Sequence, residues 1–463
     1  MHQAAAVVHT AATLREEDRL SETTTAIVEG LVVVMAIVMG VRLGGIGLGL
    51  WGAAGTAVLI FAFQDTPGDP PVSAFFIIIA VITASAAMQA AGGIDWLVGI
   101  AGHIIRRNPS RITYMAPLVT FFFTMGAGTG NIYLSLIPVI YATSYEAKIR
   151  PERPLAVSTI ASGFGLTASP VAAAMAAMLA LVEITDKSFT LSNILMITIP
   201  AGLAGTLVAA FAMSRHGKNL DEDEVYRQRL ADGKVSPPVP PEDTVLVPGA
   251  KRSALIFLAG VAFIVLAGLF PQLRPDVIPT DKKGVFDPLG MNETIQLVMF
   301  VVALVIVMWN HVKPGDVAKQ PLIASGLVAA IALFGLAWMT ATYLDANPIV
   351  ISSIGDIVTA HPLFLAVALF LVCAMTTSQS ATTNAIVPIG LAALAVPTVV
   401  AMWPSLVGCF MLPANGTQLA AVEIDKTGST RLTNNPLVHS FTIPVFTGWI
   451  GSLVVGLIVS RFV

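Results

Sequence analysis

Charge is scarce in this chain. Only 11% of its 463 residues are Asp, Glu, Lys or Arg, less than half of the roughly 25% usual in soluble domains. The 25 Lys and Arg stand against 28 Asp and Glu, for a net charge of −3, which excludes the basic footprint of a nucleic-acid binder. A disordered chain is excluded too, since it needs low hydrophobicity and high net charge. Cysteine is nearly absent: Cys373 and Cys409 both lie in apolar stretches, so neither a disulfide framework nor a thiolate metal centre is expected. The seven histidines (His2, His9, His103, His216, His311, His361 and His439) fall in the tail, loops or span ends, with no His-x-x-x-His pair. Ser162 in ASGFG could serve as a nucleophile only with a base within hydrogen-bond reach, and the sequence supplies none. No enzyme, metal or organic cofactor is therefore expected. The charged rings and repeated carbonyl loops of channel filters are lacking as well.

What the chain has is apolar length. Hydrophobic residues make up 55% of it, and its mean hydropathy is +0.80. Residues 1–25 form a polar tail of mixed charge. Glu16, Glu17 and Asp18 stand where a secretory signal would carry its basic start, so the tail precedes an uncleaved first span. Stretches of about 20 apolar residues, enough to cross a bilayer, fall at 26–41, 43–63, 72–93, 155–182, 190–213, 253–270, 294–310, 321–343, 405–422 and 438–460. Two further regions, 112–143 and 362–402, are too long for one span. They are interrupted by Gly126-Ala127-Gly128-Thr129-Gly130-Asn131 and by Ser378-Gln379-Ser380-Ala381-Thr382-Thr383-Asn384. Glycine weakens a helix by up to ~1 kcal/mol relative to Ala, and freed backbone in lipid needs partners or a water-lined cavity. Each interruption is expected to be the tip of a re-entrant hairpin.

With the N-terminus outside, ten crossings and two hairpins place 18 Lys and Arg on the inner side and seven outside, as the positive-inside rule requires. Both termini are then outside. Three spans, an interrupted hairpin and two spans fill 26–213, and the same order fills 253–463, beginning from the opposite side. Asn131 and Asn384 are 253 positions apart, Ser169 and Asn415 are 246. The expectation is an all-α polytopic membrane protein with two inverted repeat units, joined by a hydrophilic cytoplasmic linker at 214–252. Such repeats with broken helices are a mark of secondary transporters.

The candidate site residues are uncharged: Thr129, Gly130, Asn131, Thr167, Ser169 and Pro170 in the first half; Ser378, Ser380, Thr382, Thr383, Asn384, Pro413, Asn415, Gly416 and Thr417 in the second. Helices that stop and restart in mid-membrane aim N–H groups and the positive end of their dipole into the gap. Two such tips at a repeat interface suit a small four-carbon diacid, one carboxylate each. Isolated Ser and Thr also serve plain helix packing; the paired clusters are what favour a site. Glu29 sits near the outer end of the first span, where solvation would also account for it, and Arg42 reads as an interfacial anchor. Arg106 and Arg107, with Arg150 and Arg153, flank the first hairpin and suggest a basic inner vestibule. No acid lies in either cluster, so exchange of dianions is favoured over coupling to sodium or protons. A cation-coupled dicarboxylate symporter is the alternative.

These residues carry a resemblance. GVRLGGIGLG (40–49), AMQAAGGIDWLV (87–98), RRNPSRITYMAP (106–117), GTGNIYLSLIPVIY (128–141), IRPERPLAVSTIASGFGLTASPVAAAM (149–175), GKNLDEDE (217–224) and DKTGSTR (425–431) resemble the anaerobic C4-dicarboxylate transporter family (Dcu, of the A/B type). The resemblance implies exchange of fumarate, malate or aspartate against succinate across the inner (cytoplasmic) membrane, and membership of the ion-transporter superfamily, whose members commonly form homodimers of a scaffold and an elevator-like transport domain. A sensor-kinase partner is a further implied role that no residue spells out. Leu412-Pro413-Ala414-Asn415-Gly416 departs from the Leu-Pro-Thr-Tyr-Pro type of the relatives, and SQSATTN from their Ser-Gln-Ala-Ala type. Both departures bear on which diacid is preferred. His103 stands where relatives often carry an acid, which bears on proton dependence.

Overall fold

A chain this apolar has one way to satisfy its backbone inside lipid, which is to hydrogen-bond within helices. The computed structural model describes residues 23–40, 42–43, 45–186, 188–235, 246–279, 286–350, 358–412, 415–433, 435 and 437–463. In the first half the helices are α1 (Thr23–Gly40), α2 (Gly47–Ala62), α3 (Val72–Ala90), α4 (Gly93–Arg107), α5 (Ile112–Ala127), α6 (Asn131–Glu146), α7 (Glu152–Thr167), α8 (Ala173–Thr185) and α9 (Leu191–Ser214). A short helix, α10 (Glu224–Ala231), follows. The second half has α11 (Ala250–Leu269), α12 (Met291–Trp309), α13 (Pro314–Ala318), α14 (Pro321–Ala346), α15 (Leu363–Thr376), α16 (Gln379–Ala393), α17 (Val396–Met402, running on as a 3-10 helix to Phe410), α18 (Gly416–Ile424) and α19 (Thr442–Val459). Among the described residues, seven helices are long and apolar enough to cross a membrane: α1, α3, α9, α11, α12, α14 and α19.

Four expectations are corrected. The stretch 155–182 is two helices, broken between Thr167 and Ala173, where Pro170 removes an N–H and disfavours helix before it. The stretch 405–422 is likewise broken between Phe410 and Gly416, and the second interrupted region ends at Ala393 rather than 402. Residues 93–107, read as loop, form an amphipathic helix with Asp95 in its first turn and Arg106 and Arg107 in its last, charges placed to suit the helix dipole. The one strand pairing among the described residues is an antiparallel ribbon of Asp276–Pro279 with Phe286–Pro288.

The core forms by small-residue contact. α2 lies along α14, where a Cβ on Gly335 would collide with the Gly49 carbonyl. That close approach is how apolar helices gain van der Waals contact in lipid. α5 packs on α7, α12 on α3, and α9 from the first half on α19 from the second. Every residue of α7 except Arg153 and Leu166 is buried, which places this helix at the centre. Glu29 is also buried, 2% exposed, and accepts a hydrogen bond from Asn347 Nδ2 at 2.5 Å; solvation does not account for it.

The linker is docked on the membrane domain. Leu220, Tyr226 and Val235 bury against Tyr145, and Arg153 donates to the carbonyls of His216 and Gly217. Residues 236–245 of the linker lie outside the described residues, as does most of the 1–25 tail.

Candidate substrate site

Each hairpin tip is built by local chemistry. In the first, α5 ends on Gly128, whose φ of +68° suits glycine and whose N–H returns to Thr124 O at 2.9 Å. A Cβ there would meet Val171 O at 2.7 Å, so the tip rests directly on the break between α7 and α8. Thr129 Oγ1 accepts from the Asn131 N–H at 3.3 Å as α6 begins. In the second hairpin the break is only Thr377-Ser378. Thr377 adopts φ +52°, and Ser378 caps α16 by accepting from the Ala381 N–H at 3.3 Å.

The broken helices are finished in the same way. Ser169 Oγ accepts from the Val171 N–H at 3.3 Å, and α8 starts from Ala172 with no side-chain cap. Asn415 and Gln418 form a capping box at the start of α18, while Gln418 Nε2 donates across the break to Phe410 O at 2.8 Å.

These four breaks meet at one cavity of about 400 Å³. Its wall includes Thr129, Gly130 and Asn131 from the first tip, and Thr377, Ser378, Gln379 and Ser380 from the second. Val171 to Ala174 come from one broken helix, Asn415 and Thr417 from the other. Helices α6, α8, α16 and α18 therefore all begin at its edge. Each helix start carries roughly half an elementary charge, so four amount to about two positive charges. The remaining wall is apolar, from α3 (Ile78, Val81, Ile82) and α14 (Leu322, Gly326, Ala329), with Ser85 and Ser325 among them. No acidic or basic side chain lines the cavity among the described residues, and none groups into a metal centre.

Of the residues proposed from sequence, Thr129, Gly130, Asn131, Ser378, Ser380, Asn415 and Thr417 line the cavity. Thr167, Ser169, Thr382, Thr383 and Asn384 do not. Thr167 donates to Phe164 O, Thr382 to Ser378 O, Thr383 to Gln379 O and Asn384 to Ser380 O. Thr383 also accepts from Trp403 Nε1 at 2.8 Å. These side chains satisfy themselves on the preceding turn, as hydroxyl and amide groups can in a helix. Gly416 has open space beside it, and Pro413 lies outside the described residues. Arg150 is no free vestibule cation: it is ion-paired to Glu152 at 2.5 Å and to Asp223 of the linker. Arg106 is exposed at the end of α4. Sequence reasoning missed Ser85, Ser325, Thr377 and Gln379. The two serines are lone hydroxyls on apolar helices and give no signal. Ser162 does line the cavity, but its Oγ donates to Thr159 O at 2.7 Å and no histidine shares the wall.

Residues 25–463 match the family model described as anaerobic C4-dicarboxylate membrane transporter. The chain belongs to this family. Among the relatives, the anaerobic C4-dicarboxylate transporter DcuB of Escherichia coli is 34% identical over 92% of this chain and 96% of its own. The C4-dicarboxylate transporter DcuA of Wolinella succinogenes is 36% identical over 90% and 94%, and DcuA of Escherichia coli 35% over 94% and 99%. The fold is shared with the YdaH transporter of Alcanivorax borkumensis (TM-score 0.54, 15% identity, 89% of this chain and 96% of that one). It is also shared with MtrF of Neisseria gonorrhoeae (TM-score 0.53, 11% identity, 92% and 94%). The chain is thus a multi-pass membrane transporter, and its family is not one of enzymes.

Proposed function

We propose that this protein exchanges C4-dicarboxylates, fumarate, malate or aspartate against succinate, across the inner membrane by alternating access. The single observation that carries the reading is the meeting of four helix starts around one small cavity that has no charged side chain among its described residues. A dianion there is neutralised by backbone dipoles that are already oriented, and it brings no fixed buried countercharge to strip of water when the cavity empties. A cavity lined by carboxylates would suit cation coupling instead, and this one has none among its described residues.

The same order of elements in the two halves (spans, hairpin, broken helix, closing span) supports inverted units at 26–213 and 253–463. Hairpins and broken helices then form a transport domain that slides past α3 and α14, the apolar wall of the cavity. The charge bias read from sequence places the linker in the cytoplasm and both termini outside. Family resemblance adds a homodimer and, for some members' roles, a sensor-kinase partner.

The test is counterflow in proteoliposomes. Exchange requires that labelled succinate enter only vesicles preloaded with a dicarboxylate, with no sodium or proton gradient imposed. Uptake into empty vesicles driven by either gradient would replace this reading with symport.

A further inference from the structure

A second cavity, of about 920 Å³, lies away from the substrate site, between the start of α11 and the end of α12. We propose that it binds the headgroup of an anionic phospholipid, with the upper acyl chains along α11. The two helices are antiparallel neighbours, Gly260 of one against Val302 of the other, and both are long and apolar enough to cross the bilayer. Their paired ends therefore fall at one membrane face, where headgroups begin.

The chemistry divides along the groove. At its mouth stand Lys251, Arg252 and His311 with Trp309; toward the membrane interior the wall is Leu255, Ile256 and Ala259. Trp309 is 60% exposed and Leu255 48%, which suits an amphipathic ring at the headgroup level and an aliphatic surface against acyl chains. No acidic side chain lines the groove among the described residues.

Arg252 is held in place rather than left to wave in solvent. Its Nη2 donates to Trp309 O at 2.6 Å and its Nε to Asn310 Oδ1 at 3.1 Å, using two of five N–H groups. The rest remain for a phosphate, which a guanidinium matches in shape. Gly249 lets this corner close: its φ is +97°, and a Cβ there would strike Asn310 Oδ1. A cation that merely anchors a span at the interface needs neither a fixed guanidinium nor a groove beside it.

The experiment uses the full-length protein purified in detergent with added phosphatidylglycerol or phosphatidylcholine, and counts lipid retained per protomer by native mass spectrometry across a titration. Phosphatidylglycerol is expected to be retained over phosphatidylcholine, with no displacement by inorganic phosphate. Each cation near an anionic lipid contributes about fivefold in affinity. Lys251→Gln should weaken retention about fivefold, and Lys251→Gln with Arg252→Gln roughly 25-fold. Lys218→Gln, an exposed linker cation outside the groove, should leave it unchanged. Counterflow of each variant reports that it is folded, and the single Lys251 variant, exposed and outside the helix packing, stands in if the double variant does not fold. Equal retention of both lipids, displacement by inorganic phosphate, or unchanged retention in the Lys251 variant would each overturn the proposal.

Discussion

The two hairpin tips reach the same cavity by different chemistry. The first turns on glycine: Gly128 takes the left-handed conformation, and three glycines in five positions leave backbone free to approach Val171 and the cavity. The second turns on side chains: Thr377 holds a left-handed φ without being glycine, and Ser378 caps the helix that follows. One tip is defined by what its residues lack, the other by the oxygen atoms they bring. A broken helix in membrane thus needs its freed N–H groups answered, whether by ligand, cap or close backbone, and the residue types are secondary.

The largest effect should come from Gly128→Ala, which combines left-handed strain of roughly 1–2 kcal/mol with a Cβ driven onto Val171 O. Counterflow is expected to fall more than tenfold with a lowered melting temperature. The counterpart, Thr377→Gly, should leave stability the same or raised by up to about 1 kcal/mol, because glycine takes the left-handed φ without strain. Equal damage from both would erase the distinction between the tips. Next in size, Ser378→Ala should cost about 1 kcal/mol in thermal unfolding for the lost cap, whereas Thr129→Ala should cost less: Thr129 is not the N-cap of α6, and its oxygen bonds only the N–H two residues on. Smaller again is a contrast within the second half. Asn415→Ala, at the cavity wall, should raise KM several-fold, while Thr382→Ala, bonded to its own helix, should shift stability with KM unchanged. Finally, no His or carboxylate lines the cavity among the described residues, so KM expressed per dianion should stay flat across roughly neutral pH; a sigmoid there would reveal a titrating partner.

The first tip was legible because glycine both breaks a helix and marks where it breaks: the expected run 126–131 contains the observed turn at 128–130. The second was misplaced, since SQSATTN reads as a polar interruption although most of it is helix. Thr382, Thr383 and Asn384 bond back to carbonyls four residues earlier, which periodicity cannot distinguish from a break. Asn415 and Thr417 were found through their place after the hairpin, yet the helix ends at Thr167 and Phe410 were read as the middle of continuous spans, because apolar flanks hide where a helix stops. Ser85 and Ser325 line the cavity only because α3 packs on α8 and α14 on α16, a tertiary fact. Arg150 failed as a vestibule cation because Glu152, two residues on, pairs with it and the docked linker brings Asp223 as a second partner.

The central claim, that each half grips one carboxylate of the same molecule, is tested most directly by comparing KM for succinate with KM for its monoamide in the wild type, in Asn131→Ala and in Ser380→Ala. The account predicts strong preference for the diacid in the wild type and a collapse of that preference in both variants. Preference that survives in both, or that depends on one half alone, would contradict it.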